Sequence, residues 1–115
     1  MRIARPTDRP TEEWRSIPGF EKWEASSLGR IRSKKTGNVL HQRVHLGGGS
    51  GTKVYIKTNL GAARGKLVHR LVCLAFHGPD NGLQAGHLDD DGTNNKPENL
   101  RWMGMAENMA MRWNS

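Results

Sequence analysis

The residues of this 115-residue chain best suited to chemistry lie towards its end. His87 precedes Asn94 and Asn95 by seven and eight positions, Asn99 by twelve and Asn108 by twenty-one. Asp89, Asp90 and Asp91 fall between the histidine and the first asparagine. A histidine facing oxygen donors across a hairpin and a helix is a compact arrangement for hydrolysing a phosphodiester. A neutral imidazole takes the proton of the attacking water, while one divalent cation offsets charge on the phosphate and the leaving oxygen. Imidazole suits the task because its ordinary pKa of about 6.5 leaves it largely neutral near pH 7. Amide and carboxylate oxygens favour a hard ion, Mg²⁺ or Mn²⁺, over zinc.

Plainer roles compete for several of these residues. Asn94 and Asn95 are expected to be structural, capping the turn at Lys96-Pro97-Glu98. Asparagine is a strong N-cap, proline fits the first helical position, and Glu98 three residues after Asn95 completes a capping-box pattern. His69 is expected to pack near the core, and Trp102 and Trp113 read as packing residues rather than base-stacking platforms.

The elements that must position the histidine are short. Trp14–Ile17, Trp23–Ala25, Gly29–Ser33, Val39-Leu40 with His41–Val44, and Lys53–Thr58 have the alternation and flanking turn residues of β-strands. The stretch Gly47-Gly48-Gly49-Ser50-Gly51 is a flexible loop or linker. Lys66–Phe76 carries the one strong helical pattern: Leu67, Leu71 and Leu74, widened by Val68, Val72, Ala75 and Phe76. Arg64 and Lys66 precede it, and Gly78-Pro79 stops it. A strand at Gln84–Leu88, a polar loop, a return strand at Asn99–Met103 and a last helix from about Ala106 to Trp113 complete the chain. His87 then sits on the first strand of this tail, Asn99 at the entry to the second, and Asn108 on the helix crossing both.

Composition narrows the partners. Eighteen Lys and Arg against eleven Asp and Glu leave a net charge of +7, which points to a polyanion, most simply nucleic acid. Arg30 and Arg32 flank Ile31, so a strand there would turn both to one face beside Lys34 and Lys35, a surface for phosphate contacts. Arg101 is a further phosphate candidate near the histidine. The length suits one compact domain or two small modules sharing a core. No stretch approaches the apolar length of a membrane span, and Met1–Pro6 has no signal-peptide core. A single cysteine, Cys73, excludes an internal disulfide and fits a reducing cytosol.

Two stretches carry family resemblances. Val68-His69-Arg70-Leu71-Val72 with Ala75-Phe76, then His87-Leu88-Asp89, Thr93-Asn94-Asn95, Glu98-Asn99-Leu100-Arg101-Trp102 and Glu107-Asn108 resemble the HNH endonucleases. The likeness is to small phage-type enzymes in which later histidines are replaced by asparagine. Glu13-Trp14, Ile17-Pro18-Gly19-Phe20, Glu24, Ser26 and Leu28-Gly29-Arg30-Ile31-Arg32-Ser33 resemble the small DNA-binding module often placed before HNH domains in phage and intron-encoded nucleases.

The resemblance implies an α+β chain: the ββα-metal (His-Me finger) nuclease fold with a small N-terminal antiparallel β module. It divides the chain into a flexible arm at 1–11, a DNA-binding module at 12–60 and a nuclease domain at 61–115. It implies His87 as the general base, Asn99 as the central residue that orients it and braces the loop, and Asn108 as a metal ligand. Before His87, where the family commonly carries a further ligand, this chain has Gly86. Asp89, two residues on along the same strand face, is the nearest replacement carboxylate. The expected activity is Mg²⁺- or Mn²⁺-dependent hydrolysis of double-stranded DNA, by nicking or double-strand cutting, with weak sequence preference because no third segment follows Ser115. The alternatives are a catalytically weak DNA-binding module and an accessory factor of a phage packaging machine. A homing-endonuclease-like, phage-encoded protein in the host cytoplasm is implied, with a homodimer if both strands are cut.

Overall fold

The computed structural model describes residues 12–46 and 54–104. The expected arm, the glycine-rich stretch and the last helix, with Asn108 and Trp113, lie outside the described residues.

Among the described residues, three small antiparallel sheets surround one helix. The first joins β1 (Trp14–Ile17), β2 (Phe20–Ser26) and β3 (Ile31–Ser33) in sequence order. Gly19 makes the β1–β2 reversal possible, with φ at +85°. Val39-Leu40, expected as a strand, contributes only an isolated bridge from Val39 to Arg32 and a hydrogen bond from the Leu40 N–H to the Ile31 carbonyl.

The second sheet joins β4 (Arg43–Leu46), β5 (Val54–Leu60) and β6 (Ala63–Leu67). Strand β6 corrects the sequence reading, which started the helix at Lys66. Gly61 turns the chain, and Lys66 and Leu67 pair with Thr58 and Lys57. The Asn59 side-chain carbonyl holds the Gly65 N–H at 2.8 Å, fixing that glycine at φ +66° within the strand. Helix α1 therefore begins at Val68 and ends at His77, where Gly78 and Pro79 stop it as expected. No side chain caps its start and no acid sits in its first turn. Burial holds it in place: Val68, Leu71, Val72 and Cys73 lie in the core, with Leu74, Ala75 and Phe76 packed at its edge.

The third sheet is the hairpin of β7 (Gln84–His87) and β8 (Leu100–Met103), entered through a single 3-10 turn at Pro97–Asn99. Ile17, Ala25 and Ile31 from the first sheet share one core with Leu60, the helix and Leu100. The expected division after residue 60 thus falls inside a shared core, between two strands of one hairpin. Burial pushes the Cys73 thiol up to about 12, so it stays protonated and packs as an apolar group. No helix of the described residues is long and apolar enough to cross a membrane.

Candidate active site

His87 is the last residue of β7, paired with Leu100, and its ring is half-buried. Its Nε2 lies 2.8 Å from Oδ1 of Asn95. A carbonyl oxygen only accepts, so Nε2 is the donor in this contact, and in the neutral ring the lone pair then lies on Nδ1. Asn95 is buried and makes no cap: the 3-10 turn is preceded by Lys96 and has no side-chain cap at all. The capping role expected of Asn94 and Asn95 is therefore overturned. The extended backbone at Lys96 leaves the Asn95 amide facing β7 instead.

The polar loop from Leu88 to Lys96 is knitted by side chains. Asn99 is buried, accepts the Asp89 N–H at 3.1 Å, and donates to Asp89 Oδ1 at 2.8 Å and to the Asn94 carbonyl at 2.9 Å. Its own backbone carbonyl accepts the Leu88 N–H. Asn94 donates to the second Asp89 oxygen at 2.9 Å, and the Asp91 N–H reaches Asp89 Oδ1 at 2.9 Å. These bonds, Asn94 first, hold the Asp89 carboxyl below the usual carboxylate range, and Thr93 does the same for Asp91. Asp89 lies in a turn, with Asp90 at φ +60°, and does not continue the His87 strand face as expected. Gly92 is required where the loop meets β5, because a Cβ there would overlap the Val54 carbonyl.

A second contact to His87 comes from the start of α1. The His69 ring lies 4.8 Å from the His87 ring, centre to centre, and stacks on Tyr55 of β5 at 5.6 Å. His69 is buried and its Nδ1 has no hydrogen-bond partner among the described residues. Burial, then the charges of His87 and Arg70, push its pKa down to about 3, so it packs beside His87 as a neutral ring. The sequence reading put His69 near the core, where it lies, and held contact with DNA or the site as the lesser alternative. Its only signal was position, in the first turn of the helix whose stripe had to face the strands.

The basic residues divide. Arg32 is fully buried, its Nε 3.0 Å from Glu24 and its guanidinium 4.0 Å above the Trp14 ring. It cannot join an open phosphate-binding face, and that expectation is corrected. Alternation placed Arg30 and Arg32 together, and both do flank Trp14, but this face of the sheet points inward. Arg30 is part-buried and forks onto the two carboxylate oxygens of Glu12. Lys34 is half-buried, while Lys35 and Arg101 are exposed, the latter opposite Gly86 in the β7–β8 ladder. Trp102 packs at the core edge and donates to the Gly78 carbonyl at 3.0 Å.

A cation would need hard oxygen donors beside His87. Among the described residues no group of three His, Cys, Asp or Glu side chains converges to hold one. Both Asp89 oxygens already accept hydrogen bonds that shape the loop, and Gly86 offers no donor. Asn108, the other expected ligand, lies outside the described residues. The described donors by themselves do not make a complete metal site.

A histidine with a fixed tautomer at the end of a two-stranded hairpin, its long loop braced by asparagines, is the architecture of a ββα-metal nuclease. Residues 12–71 match the NUMOD4 motif and residues 66–110 match the HNH endonuclease family. The chain belongs to the HNH endonucleases that carry a NUMOD4 motif. It is 34% identical over 88% of its length to an uncharacterized HNH endonuclease of Acanthamoeba polyphaga mimivirus, covering 26% of that protein. It is 32% identical over 84% of its length to the DNA endonuclease I-HmuI of Bacillus phage SP01, covering 55% of it. A solved structure, described as DNA binding and cleavage by the HNH homing endonuclease I-HmuI, superposes with a TM-score of 0.70 at 32% identity, over 89% of this chain and 58% of that one. The chain thus spans about half the length of the phage relative and about a quarter of the mimivirus one. The fold is α+β, of the ββα-metal class, as the motifs implied.

Proposed function

We propose that the chain hydrolyses phosphodiester bonds of double-stranded DNA, with His87 as the general base. The observation that carries this reading is the 2.8 Å bond from His87 Nε2 to Asn95 Oδ1. It leaves Nδ1 unprotonated and free to accept a proton from water. Water attacks phosphorus as Nδ1 takes its proton, and the bond from phosphorus to the 3′ oxygen breaks. The products are a 5′-phosphate and a 3′-hydroxyl, whose oxygen takes up a proton on leaving. Asn95 holds the ring through this bond, which persists when Nδ1 takes the proton because Nε2 remains a donor. Asn99 keeps the loop in shape through Asp89. The relative I-HmuI, described as binding and cleaving DNA, supports DNA as the substrate.

HNH nucleases use a divalent metal, and such an ion would offset charge on the phosphate and on the leaving oxygen. We assign that place to Mg²⁺ or Mn²⁺, with Asn108 as a ligand. Asp89 serves the loop first. Lys34, Lys35 and Arg101 are proposed to touch DNA phosphates, with sequence preference weak.

The test is nicking of supercoiled plasmid with Mg²⁺ or Mn²⁺. Open circles that vanish with EDTA and with His87→Ala support the proposal. A protein that shifts DNA on a gel and never cuts it with any divalent ion is a binding module, and the hydrolase reading is then wrong.

A further inference from the structure

We infer that the turn at Ser26–Arg30 in the N-terminal module is part of the catalytic machinery, with Gly29 as a positioning residue that sets His87 through Asn95. This rests on the reading of His87 as the base, and it assigns the module a task beyond gripping DNA.

Gly29 is buried with φ at +84°, and it lies directly against Asn95. A Cβ on Gly29 would stand 3.1 Å from both the Asn95 Cβ and its carbonyl oxygen. The contact is one of shape. The glycine acts as a flat wall that limits how far the Asn95 backbone can move towards this turn.

The wall is itself stiff. Ser26 N–H donates to the Arg30 carbonyl at 2.8 Å and the Gly29 N–H to the Ser26 carbonyl at 3.0 Å. The Ser26 hydroxyl oxygen accepts the N–H groups of Leu28 and Arg30 at 3.1 and 3.0 Å. Ser27 ties the turn to β1: its N–H donates to the Glu13 carbonyl, and its hydroxyl oxygen accepts the Glu13 N–H at 2.9 Å. From the other side, Gln42 Nε2 donates to the Gly29 carbonyl at 2.9 Å. Ser26 is fully buried, so these bonds compete with no water.

The chain of contact runs from this turn to Gly29, from Gly29 to Asn95, and from Asn95 Oδ1 to His87 Nε2. A general base must be held to within a fraction of an ångström, and groups that hold it act best when their own supports are rigid. Asn95 sits on a loop, which would be a poor support by itself. The module supplies the missing rigidity from a segment more than fifty residues earlier in the chain.

The test uses the full chain and a double-variant cycle. Turnover and KM are read from plasmid nicking, DNA affinity from fluorescence anisotropy, and the His87 tautomer from ¹⁵N NMR of the imidazole, assigned with His87→Gln. Gly29→Ala is expected to lower kcat at least tenfold, leave DNA affinity within twofold, and remove the Nε2–H tautomer signal. Asn95→Ala should do the same, and adding Gly29→Ala to it should produce no further loss. Because a side chain at positive φ can unfold the turn, Gln42→Ala serves as the gentler variant. It frees the Gly29 carbonyl alone, and its several-fold drop in kcat should disappear in the Asn95→Ala background. Losses that multiply in the double variants, or an unchanged His87 signal in folded Gly29→Ala, overturn the inference. If the wild-type protein cuts no DNA with any ion, the proposed function fails, and the tautomer signal still decides whether Gly29 sets His87.

Discussion

Arg32 separates a residue that builds the fold from one that grips DNA. Its side chain is fully buried, and the Glu24 carboxylate that it pairs at 3.0 Å is only 13% exposed. Replacing it as Arg32→Met keeps the apolar stem and removes the charge. Glu24 is then left nearly buried without its cation, an arrangement that costs about 3–5 kcal/mol when one partner of a buried pair is deleted. The residual exposure of Glu24 places the loss near the lower end, at ~3 kcal/mol. The guanidinium also lies 4.0 Å from the Trp14 ring centre, a contact worth about 1–2 kcal/mol out of water. Methionine recovers part of that packing. A total of about 3–4 kcal/mol follows, and for a chain of this size each kcal/mol moves Tm by roughly 4 °C. Thermal unfolding should therefore fall by about 12–16 °C.

DNA affinity should respond differently. Removing one phosphate contact from a protein–DNA interface reduces the slope of log K against log salt by about 0.9. Folded Arg32→Met, measured well below its melting point, should keep the wild-type slope. A Tm shift under about 4 °C together with a slope reduced by about 0.9 would refute this reasoning and return Arg32 to the DNA face.

Other perturbations probe the loop and the ring stack. Asn99→Ala removes three hydrogen bonds around a buried amide. At about 1 kcal/mol each, and with no premium for the exposed Asp89 charge, unfolding should drop by ~3 kcal/mol in a urea titration. Gly92→Ala should detach the loop from β5, seen as faster amide exchange across Asp89–Asn95, and unchanged exchange would show that the close approach to Val54 is dispensable. His69 is pushed down to about 3, below its ordinary value, so the unfolded chain binds the extra proton as pH falls. Stability from this group is full above pH ~6.5 and declines by about 1.4 kcal/mol per pH unit below it. Between about pH 6.5 and 5, His69→Phe should flatten the wild-type fall in Tm, and parallel curves would place the acid sensitivity elsewhere. Lys35→Ala with Arg101→Ala should weaken DNA binding and lower the salt slope by about 1–2 without changing Tm.

Much of the scaffold could be read from local pattern. The stripe at Val68, Leu71 and Val72 declared a helix, Gly78-Pro79 its end, and the polar loop between Leu88 and Asn99 a hairpin around His87. Two errors share a physical cause. Lys66 and Leu67 continue the helical stripe, yet β5 offered their backbone a ladder, and Gly61 at positive φ turned the chain back into that hairpin. The alternation at Arg30-Ile31-Arg32 correctly put two arginines on one face. It could not say that Trp14 and Glu24 would close over that face, because burial of a charge depends on partners from other strands.

The candidate site was legible as a set of residues but not as a set of bonds. Spacing singled out His87 and Asn99, while the cap signature around Lys96-Pro97-Glu98 drew Asn94 and Asn95 away from the histidine. A capping asparagine and one that holds an imidazole have the same sequence signature, since both ask for an amide before a tight turn. What decides between them is the wall that Gly29 presents from the first sheet and the ring that His69 presents from the helix. Both come from parts of the chain whose local patterns carry no trace of His87. The motif of a nuclease hairpin therefore names the groups proposed to react, whereas their alignment is a property of the shared core, and substitutions at Gly29 should disturb catalysis as surely as those at Asn95.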